Sequence, residues 1–336
     1  MILKERIDLM VKLGDYLRSE DELFEAWMYR TYHNNRWFTI EHQKQAAHAI
    51  AYQFLTRTNL EQWINAYDIQ DDSSDKVVGL VLAGNIPMVG FHDVLSVFMS
   101  GHKVQIKLSD KDPFILPFLI EQLSKWEGQS KAYFQVVDKL NGYDAVIATG
   151  SNNTARYFES YFSHVPNIIR ANRTSVALID GQESAADFAA LGKDIFTYFG
   201  LGCRNVSKLY VPKGYDFQGL MEALHEFRKI VLHDKYKNNF DYNYAMFEIN
   251  RTPYINNGCL LLTEDTSMHS RIAALHFEYY EDVKEVEQQL IRDQEAIQCQ
   301  VSREGATPFI PFGKAQEPSL LDYADGEDTM QFLASI

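Results

Sequence analysis

Cysteine is scarce in this 336-residue chain: Cys203, Cys259 and Cys299 are the only three, far apart and without a CxxC pair. A disulfide framework and a zinc centre are therefore not expected, and no other metal site is indicated. Basic residues are few as well, 32 Lys and Arg against 46 Asp and Glu, for a formal net charge of −14. Such a surface repels nucleic acid and anionic lipid, so neither is an expected partner. Local basic lining for an anionic small molecule is still available from Lys103, Lys107, Arg156, Arg170, Arg173 and Arg204. No segment approaches the roughly 18 consecutive apolar residues of a membrane-spanning helix. The opening MILKERIDLMVKLGDYLRSEDELF places charges in every turn, so no export signal is expected. A soluble, cytoplasmic protein without membrane insertion is the expectation, with homo-oligomer formation left open.

At 46% hydrophobic content the chain can bury one large core or two ordinary ones. Residues 1 to about 70 alternate apolar and charged positions at helical spacing, with Ile7, Met10, Val11 and Leu17 on one face and a second amphipathic stretch over Ala46–Leu55. The polar run Gln70–Asp75 reads as a connector. Val77–Ala83 is then a short apolar run of the kind buried in a parallel sheet. Strand-like and helix-like segments alternate beyond it: 104–106, 113–126, 133–137, 145–148 and 152–162. A second set follows with 175–179, 184–199, 206–211 and further alternation through 275–299. This predicts two doubly wound α/β lobes after a helical N-terminal lead-in. The expected division is 1–169 (lead-in 1–75), 170–306 and an extended closing segment 307–336, with the lobe boundary near Pro166–Asn172.

Cys203 stands in Phe199-Gly200-Leu201-Gly202-Cys203-Arg204-Asn205, where two glycines permit turns that other residues resist. A cysteine there can be presented into a cleft, although a small buried residue is the commoner fate of a free thiol. An unperturbed thiol is only slightly ionised at neutral pH, so a nucleophile there needs help, from Arg204 or from a cationic cofactor ring. Cys259 and Cys299 are read as buried structural residues. Gly84-Asn85-Ile86-Pro87 follows the first strand, so Asn85 stands at the carboxyl end of a parallel sheet, where its amide can face a ligand or merely close a turn. Thr149-Gly150-Ser151 lies between strand and helix, where backbone N–H groups can hold phosphate.

The order and spacing of these segments resemble the aldehyde dehydrogenase superfamily, most closely its fatty acyl-CoA reductase branch. Ala83-Gly84-Asn85-Ile86-Pro87 is similar to the family turn that carries the oxyanion amide. Val104-Gln105-Ile106-Lys107-Leu108-Ser109-Asp110 is similar to the strand end that holds the adenosine ribose, which implies cofactor roles for Lys107, Ser109 and Asp110. Thr149-Gly150-Ser151, followed by Arg156, resembles the turn beside the cofactor, with Ala155 in place of a later glycine. The segment ending in Gly202-Cys203 resembles the one that delivers the catalytic cysteine. Where hydrolytic relatives carry a water-activating glutamate, this chain has Ile169, Arg170 and Ala171. The stretch Thr307–Ala315 resembles the closing segment of the acyl-CoA reductases.

The resemblance implies that Cys203 attacks an acyl thioester, with Asn85 at the oxyanion, expels coenzyme A, and yields an aldehyde after reduction by NADPH, or by NADH. Asp110 near a ribose 2′-hydroxyl would favour NADH. Two other readings stand beside it: a conventional aldehyde dehydrogenase, and a non-redox relative that binds or transfers acyl groups.

Overall fold

A computed structural model describes residues 1–67, 69, 74–305 and 308–336. They form two compact units, residues 1–172 with 318–336 and residues 173–317. Residues 70–73 of the expected connector and the 306/307 junction lie outside the described residues.

The first unit opens with four helices. The first, α1 (Leu3–Arg18), buries Ile7, Met10 and Leu17 of the expected apolar face together with Leu9 and Leu13, while Val11 is partly buried. Side chains start the next three: Asp21 for α2 (Glu22–Asn34), Thr39 for α3 (Ile40–Ala49) and Thr56 for α4 (Arg57–Ile64). Each accepts a backbone N–H that a first helical turn leaves unpaired.

Five parallel strands follow: β1 (Val77–Val81), β2 (Lys103–Lys107), β3 (Phe134–Val136), β4 (Ala145–Thr149) and β5 (Asn167–Arg170). Between them run α5 (Phe91–Met99), α6 (Ile115–Trp126) and α7 (Asn152–Phe162). The strand order is β3-β2-β1-β4-β5. It reverses between β1 and β4, which opens a crevice at their carboxyl ends. The stretch Pro166–Asn172, expected to be only a boundary, carries β5. Its four residues alternate partly buried and buried positions, and they close the edge of the sheet against β4.

The second unit holds β6 (Thr174–Leu178), α8 (Ala185–Phe196), β7 (Val206–Pro212), α9 (Gln218–His225) and α10 (Asp234–Asn250). It continues with β8 (Ile255–Asn256), β9 (Leu261–Glu264), β10 (Ala274–Tyr280), α11 (Val283–Arg292), β11 (Ile297–Ser302) and β12 (Ile310–Pro311). The sheet order is β12-β11-β6-β7-β10-β9-β8, parallel except where β8 pairs with β9. Both units are thus wound α/β sheets, as the alternation predicts.

Residues 318–336 return to the first unit. The tail is not extended throughout: Asp328 caps a short helix, α12 (Thr329–Ala334). Trp63 Nε1 donates to Tyr323 Oη at 2.7 Å, and His102 Nε2 lies 2.9 Å from the Leu333 carbonyl oxygen. Arg170 donates to Thr329 Oγ1 at 2.8 Å and to both Asp93 oxygens at 2.8 and 2.7 Å. The two side chains of that ion pair are 4% and 9% exposed, so removal of either partner leaves a charge buried without its counterion. Arg170→Met should lower stability by about 3 kcal/mol in urea titrations. The double variant Arg170→Met with Asp93→Leu should recover at least half of that loss, and an equal loss in single and double variants would remove the pair from the account.

Candidate active site

The sequence-predicted cofactor residues gather along the carboxyl edge of the first sheet. β1 runs into the Leu82–Pro87 turn, β2 ends at Lys107, and β4 ends at Thr149. The Leu82 N–H donates to the Lys107 carbonyl at 3.0 Å, which ties the first two strand ends together. Gly84 packs on the β2 turn so closely that a Cβ there would sit 2.6 Å from Ser109 Cβ. The glycine is therefore required by close approach. Ser109 and Lys107 are partly buried and Asp110 is exposed. The 109–112 turn is fastened to α2, where Asn34 donates to the Asp110 carbonyl at 3.1 Å and Asn35 to that of Lys111 at 3.2 Å.

At the other side of the crevice, the Gly150 N–H donates to the Arg170 carbonyl at 3.0 Å. Ser151 caps α7, its Oγ accepting from the Thr154 N–H at 3.3 Å and lying 2.8 Å from Thr154 Oγ1. Arg156 is exposed one turn further on. Thr149, Gly150 and Ser151 thus form a strand-to-helix turn at the point where strand order reverses, the usual place for a nucleotide. The donor set fits an anionic dinucleotide: a lysine ammonium, two serine hydroxyls and the start of a helix.

Asp112 is a buried carboxylate beside the candidate site that the sequence does not reveal. Its Oδ2 accepts the Met88 N–H at 2.8 Å. Met88 has φ of 55°, a left-handed conformation costly for a branched-free but bulky side chain, and this bond holds it. Asp112 therefore fixes the far end of the turn that carries Asn85. It lines a small pocket with Ala83, Met88, Phe91 and Ser109, and its Oδ1 has no hydrogen-bond partner. Burial pushes its carboxyl from 3.8 up to about 6.

In the second unit, α8 ends in a run of left-handed residues, Tyr198, Phe199 and Gly200, with φ of 53°, 59° and 76°. Asn205 holds this run. Its Oδ1 accepts the Gly202 N–H at 2.8 Å, and its Nδ2 donates toward the carbonyls of Asp194, Ile195 and Thr197 at 3.0, 3.3 and 2.8 Å. Cys203 is presented, partly exposed, inside this clasp. Asp194 fastens the closing segment to α8, accepting the N–H groups of Gly313 at 2.6 Å and Ala315 at 3.0 Å. Burial pushes its carboxyl up to about 6 as well.

Two expectations need correction. Arg170 does not line the crevice, because its guanidinium is occupied by Asp93 and Thr329; Arg173 is likewise bonded to the carbonyls of Gln294 and Ile297. Cys299 is only partly buried, not a fully buried core residue, and its Sγ lies 2.9 Å from Ser175 Oγ, which donates to the Cys203 carbonyl at 2.9 Å. Cys259 is fully buried. Among the described residues no His, Cys, Asp or Glu cluster could hold a metal ion, and no helix is long and apolar enough to cross a membrane.

The model of the LuxC acyl-CoA reductase family matches residues 56–231, just over half of the chain. The chain belongs to that family. It is thereby an oxidoreductase acting on acyl or aldehyde groups, with the fold of the aldehyde dehydrogenases. Solved structures agree on the fold. Aldehyde dehydrogenase 21 from Physcomitrella patens, solved with the reaction product succinate, superposes with a TM-score of 0.67 at 14% identity, over 86% of this chain and 71% of that one. The Mycobacterium tuberculosis aldehyde dehydrogenase, solved with NAD+, gives 0.61 at 12%, over 85% and 70%. The Bacillus cereus aldehyde dehydrogenase, also with NAD+, gives 0.61 at 13%, over 90% and 72%. No curated protein matches this LuxC-family chain.

The raised Asp112 carboxyl sets a pH dependence. Between pH 4 and 6 the folded chain keeps a proton that the unfolded chain has released, so this residue's contribution to stability falls as pH rises through that window. Asp112→Asn keeps an acceptor for Met88 and cannot ionise. It should exceed wild type by about 2 kcal/mol in urea titrations at pH 7 and equal it near pH 4. A pH-independent difference would show that Asp112 does not titrate in this range.

Proposed function

We propose that this chain reduces an acyl thioester, most simply a fatty acyl-CoA, to an aldehyde through a thioacyl intermediate on Cys203. The observation that carries this reading is the clasped, left-handed turn that presents Cys203 in a LuxC-family chain. Such backbone strain persists where a site needs a fixed geometry.

In the proposed first step the Cys203 thiolate attacks the thioester carbonyl carbon, forming a C–S bond and placing the electron pair on oxygen. Asn85 and the Cys203 backbone N–H are assigned as donors to that oxyanion. Collapse of the tetrahedral adduct breaks the bond to coenzyme A, which leaves as a thiolate and takes up a proton. Lys107, Ser109, Asp110, Thr149, Gly150, Ser151 and Arg156 are assigned to a nicotinamide dinucleotide at the crevice, with NADPH inferred from the family resemblance and NADH as the second candidate. When bound, the nicotinamide supplies the hydride. Release of the aldehyde from the resulting thiohemiacetal returns Cys203 to its thiol.

The chain's own side chains also bear on water. The neighbourhood that holds a water-activating glutamate in hydrolytic relatives contains Arg170, engaged with Asp93 in a buried ion pair. None of Ile169, Arg170 and Ala171 can act as a carboxylate base there, which favours transfer to a thiol over hydrolysis.

Intact-mass spectrometry after incubation with palmitoyl-CoA tests the reading directly. Wild type should gain one acyl group, Cys203→Ser should gain none, and NADPH should discharge the adduct as aldehyde. An adduct indifferent to both NADPH and NADH would instead identify an acyl-transferring relative. Asn85→Ala should reduce aldehyde formation by roughly 100-fold; a loss under about threefold would return Asn85 to the turn alone.

A further inference from the structure

Both ladders of β6 lose register beside Ser175. On one side Thr174 pairs with Ile297 and Ser175 with Cys299, so Gln298 is the extra residue of a bulge. On the other side Ser175 pairs with Val206 and Val176 with Lys208, which leaves Ser207 as the extra residue. A bulge shifts the alternation of side chains by one and turns the following residue onto the opposite face. An unbroken ladder would set Gln298 beside Ser175. The bulge sets Cys299 there.

The hydrogen bonds follow from this placement. Ser175 Oγ lies 2.9 Å from the Cys203 carbonyl oxygen, 2.9 Å from Cys299 Sγ and 3.2 Å from the Cys299 nitrogen. A carbonyl oxygen only accepts, so the single Ser175 hydroxyl proton goes to Cys203. The Cys299 N–H donates to one lone pair of Oγ, and the Cys299 thiol must donate to the other. Every hydrogen-bonding capacity of Ser175 is then used. Burial pushes the Cys299 thiol up to about 11, which keeps its proton on sulfur at neutral pH.

We propose that Ser175 and Cys299 are a positioning pair that fixes the backbone of Cys203. Asn205 anchors the Gly202 N–H on one side of the nucleophile, and Ser175 anchors the Cys203 carbonyl on the other. Between these anchors lie only the dihedrals of Gly202 and Cys203. Gly202 is the permissive member of the two, so one anchor alone would leave the direction of the Cys203 side chain loose. The thiol of Cys299 serves as a hydrogen-bond donor with the reach of sulfur, and acts on the chemistry only through Cys203. This inference rests on the reading of Cys203 as the nucleophile.

Three single variants, Ser175→Ala, Cys299→Val and Cys299→Ser, test the pair against wild type by two measurements. Hydrogen exchange of the peptide spanning 200–205, followed by mass spectrometry, reads the order of the turn without turnover. Steady-state kinetics with palmitoyl-CoA and NADPH reads kcat and KM. Ser175→Ala and Cys299→Val should speed exchange in that peptide by roughly tenfold and lower kcat by roughly tenfold, with KM for the thioester changed less than about twofold. Cys299→Ser, which keeps a donor, should recover both to within about threefold of wild type. Cys299→Val that leaves exchange and kcat near wild type would overturn the pair, as would Cys299→Ser that loses as much as Cys299→Val. Faster exchange spread over the whole β6–β7–β11 sheet would assign Cys299 to the core instead. If wild type forms no aldehyde, the functional reading fails while the exchange result still decides the pair.

Discussion

The amide of Asn205 is the constraint on which the turn before Cys203 depends. Two aromatic residues in succession, Tyr198 and Phe199, are held left-handed, at a cost of about 1–2 kcal/mol each. The Asn205 side chain offsets this by closing on backbone groups from Asp194 through Gly202, each bond worth about 1 kcal/mol. Packing contributes the rest. Tyr198 and Phe199 are buried, and the Phe199 ring lies 4.3 Å from that of His233 at the head of α10. The turn is thus stabilised by its surroundings and not by its own conformational preference. Helix α8 stops at Phe196, and the left-handed run that follows leaves Cys203 partly exposed.

The two units expose opposite edges of their sheets. In the first, the strand ends at Val81, Lys107 and Thr149 are carboxyl ends, where the reversal of strand order leaves room and the following helix offers unpaired N–H groups. In the second, Cys203 precedes β7, Ser175 is the second residue of β6, and Cys299 is the third of β11. That edge is the amino end, where parallel strands begin and where bulges are easily admitted. One edge is suited to an extended anionic ligand, the other to a single atom held in place by its backbone.

Much of this was legible in the chain itself. The alternation of apolar runs and amphipathic stretches gives the order of strands and helices in both units, because burial on both faces of a parallel strand leaves a local mark. The turn before Cys203 is legible because glycines at 200 and 202 announce it. Ser175 and Cys299 are not, since they meet across 124 residues and only through a bulge that no local pattern encodes. Asp112 is hidden for a related reason: its partner, the N–H of left-handed Met88, lies 24 residues earlier. Arg170 looks like a ligand-facing cation until Asp93, on a helix 77 residues away, is brought against it. The helix at Thr329–Ala334 escapes notice because six residues are too few to show a period.

The return of residues 318–336 to the first unit has a consequence for how the chain is made. Trp63 meets Tyr323 across 260 residues and Arg170 meets Thr329 across 159, whereas residues 173–317 are contiguous. During synthesis from the amino end, the first unit is translated first yet cannot close: its counterpart to Trp63, His102 and Arg170 is still to be made. The intervening unit has all of its strands as soon as β12 emerges, so the part that begins earliest is finished last. Until then Arg170, already paired with Asp93, lacks Thr329, Trp63 lacks Tyr323 and His102 lacks Leu333, so the nascent chain carries its greatest exposure to wrong partners in its first unit.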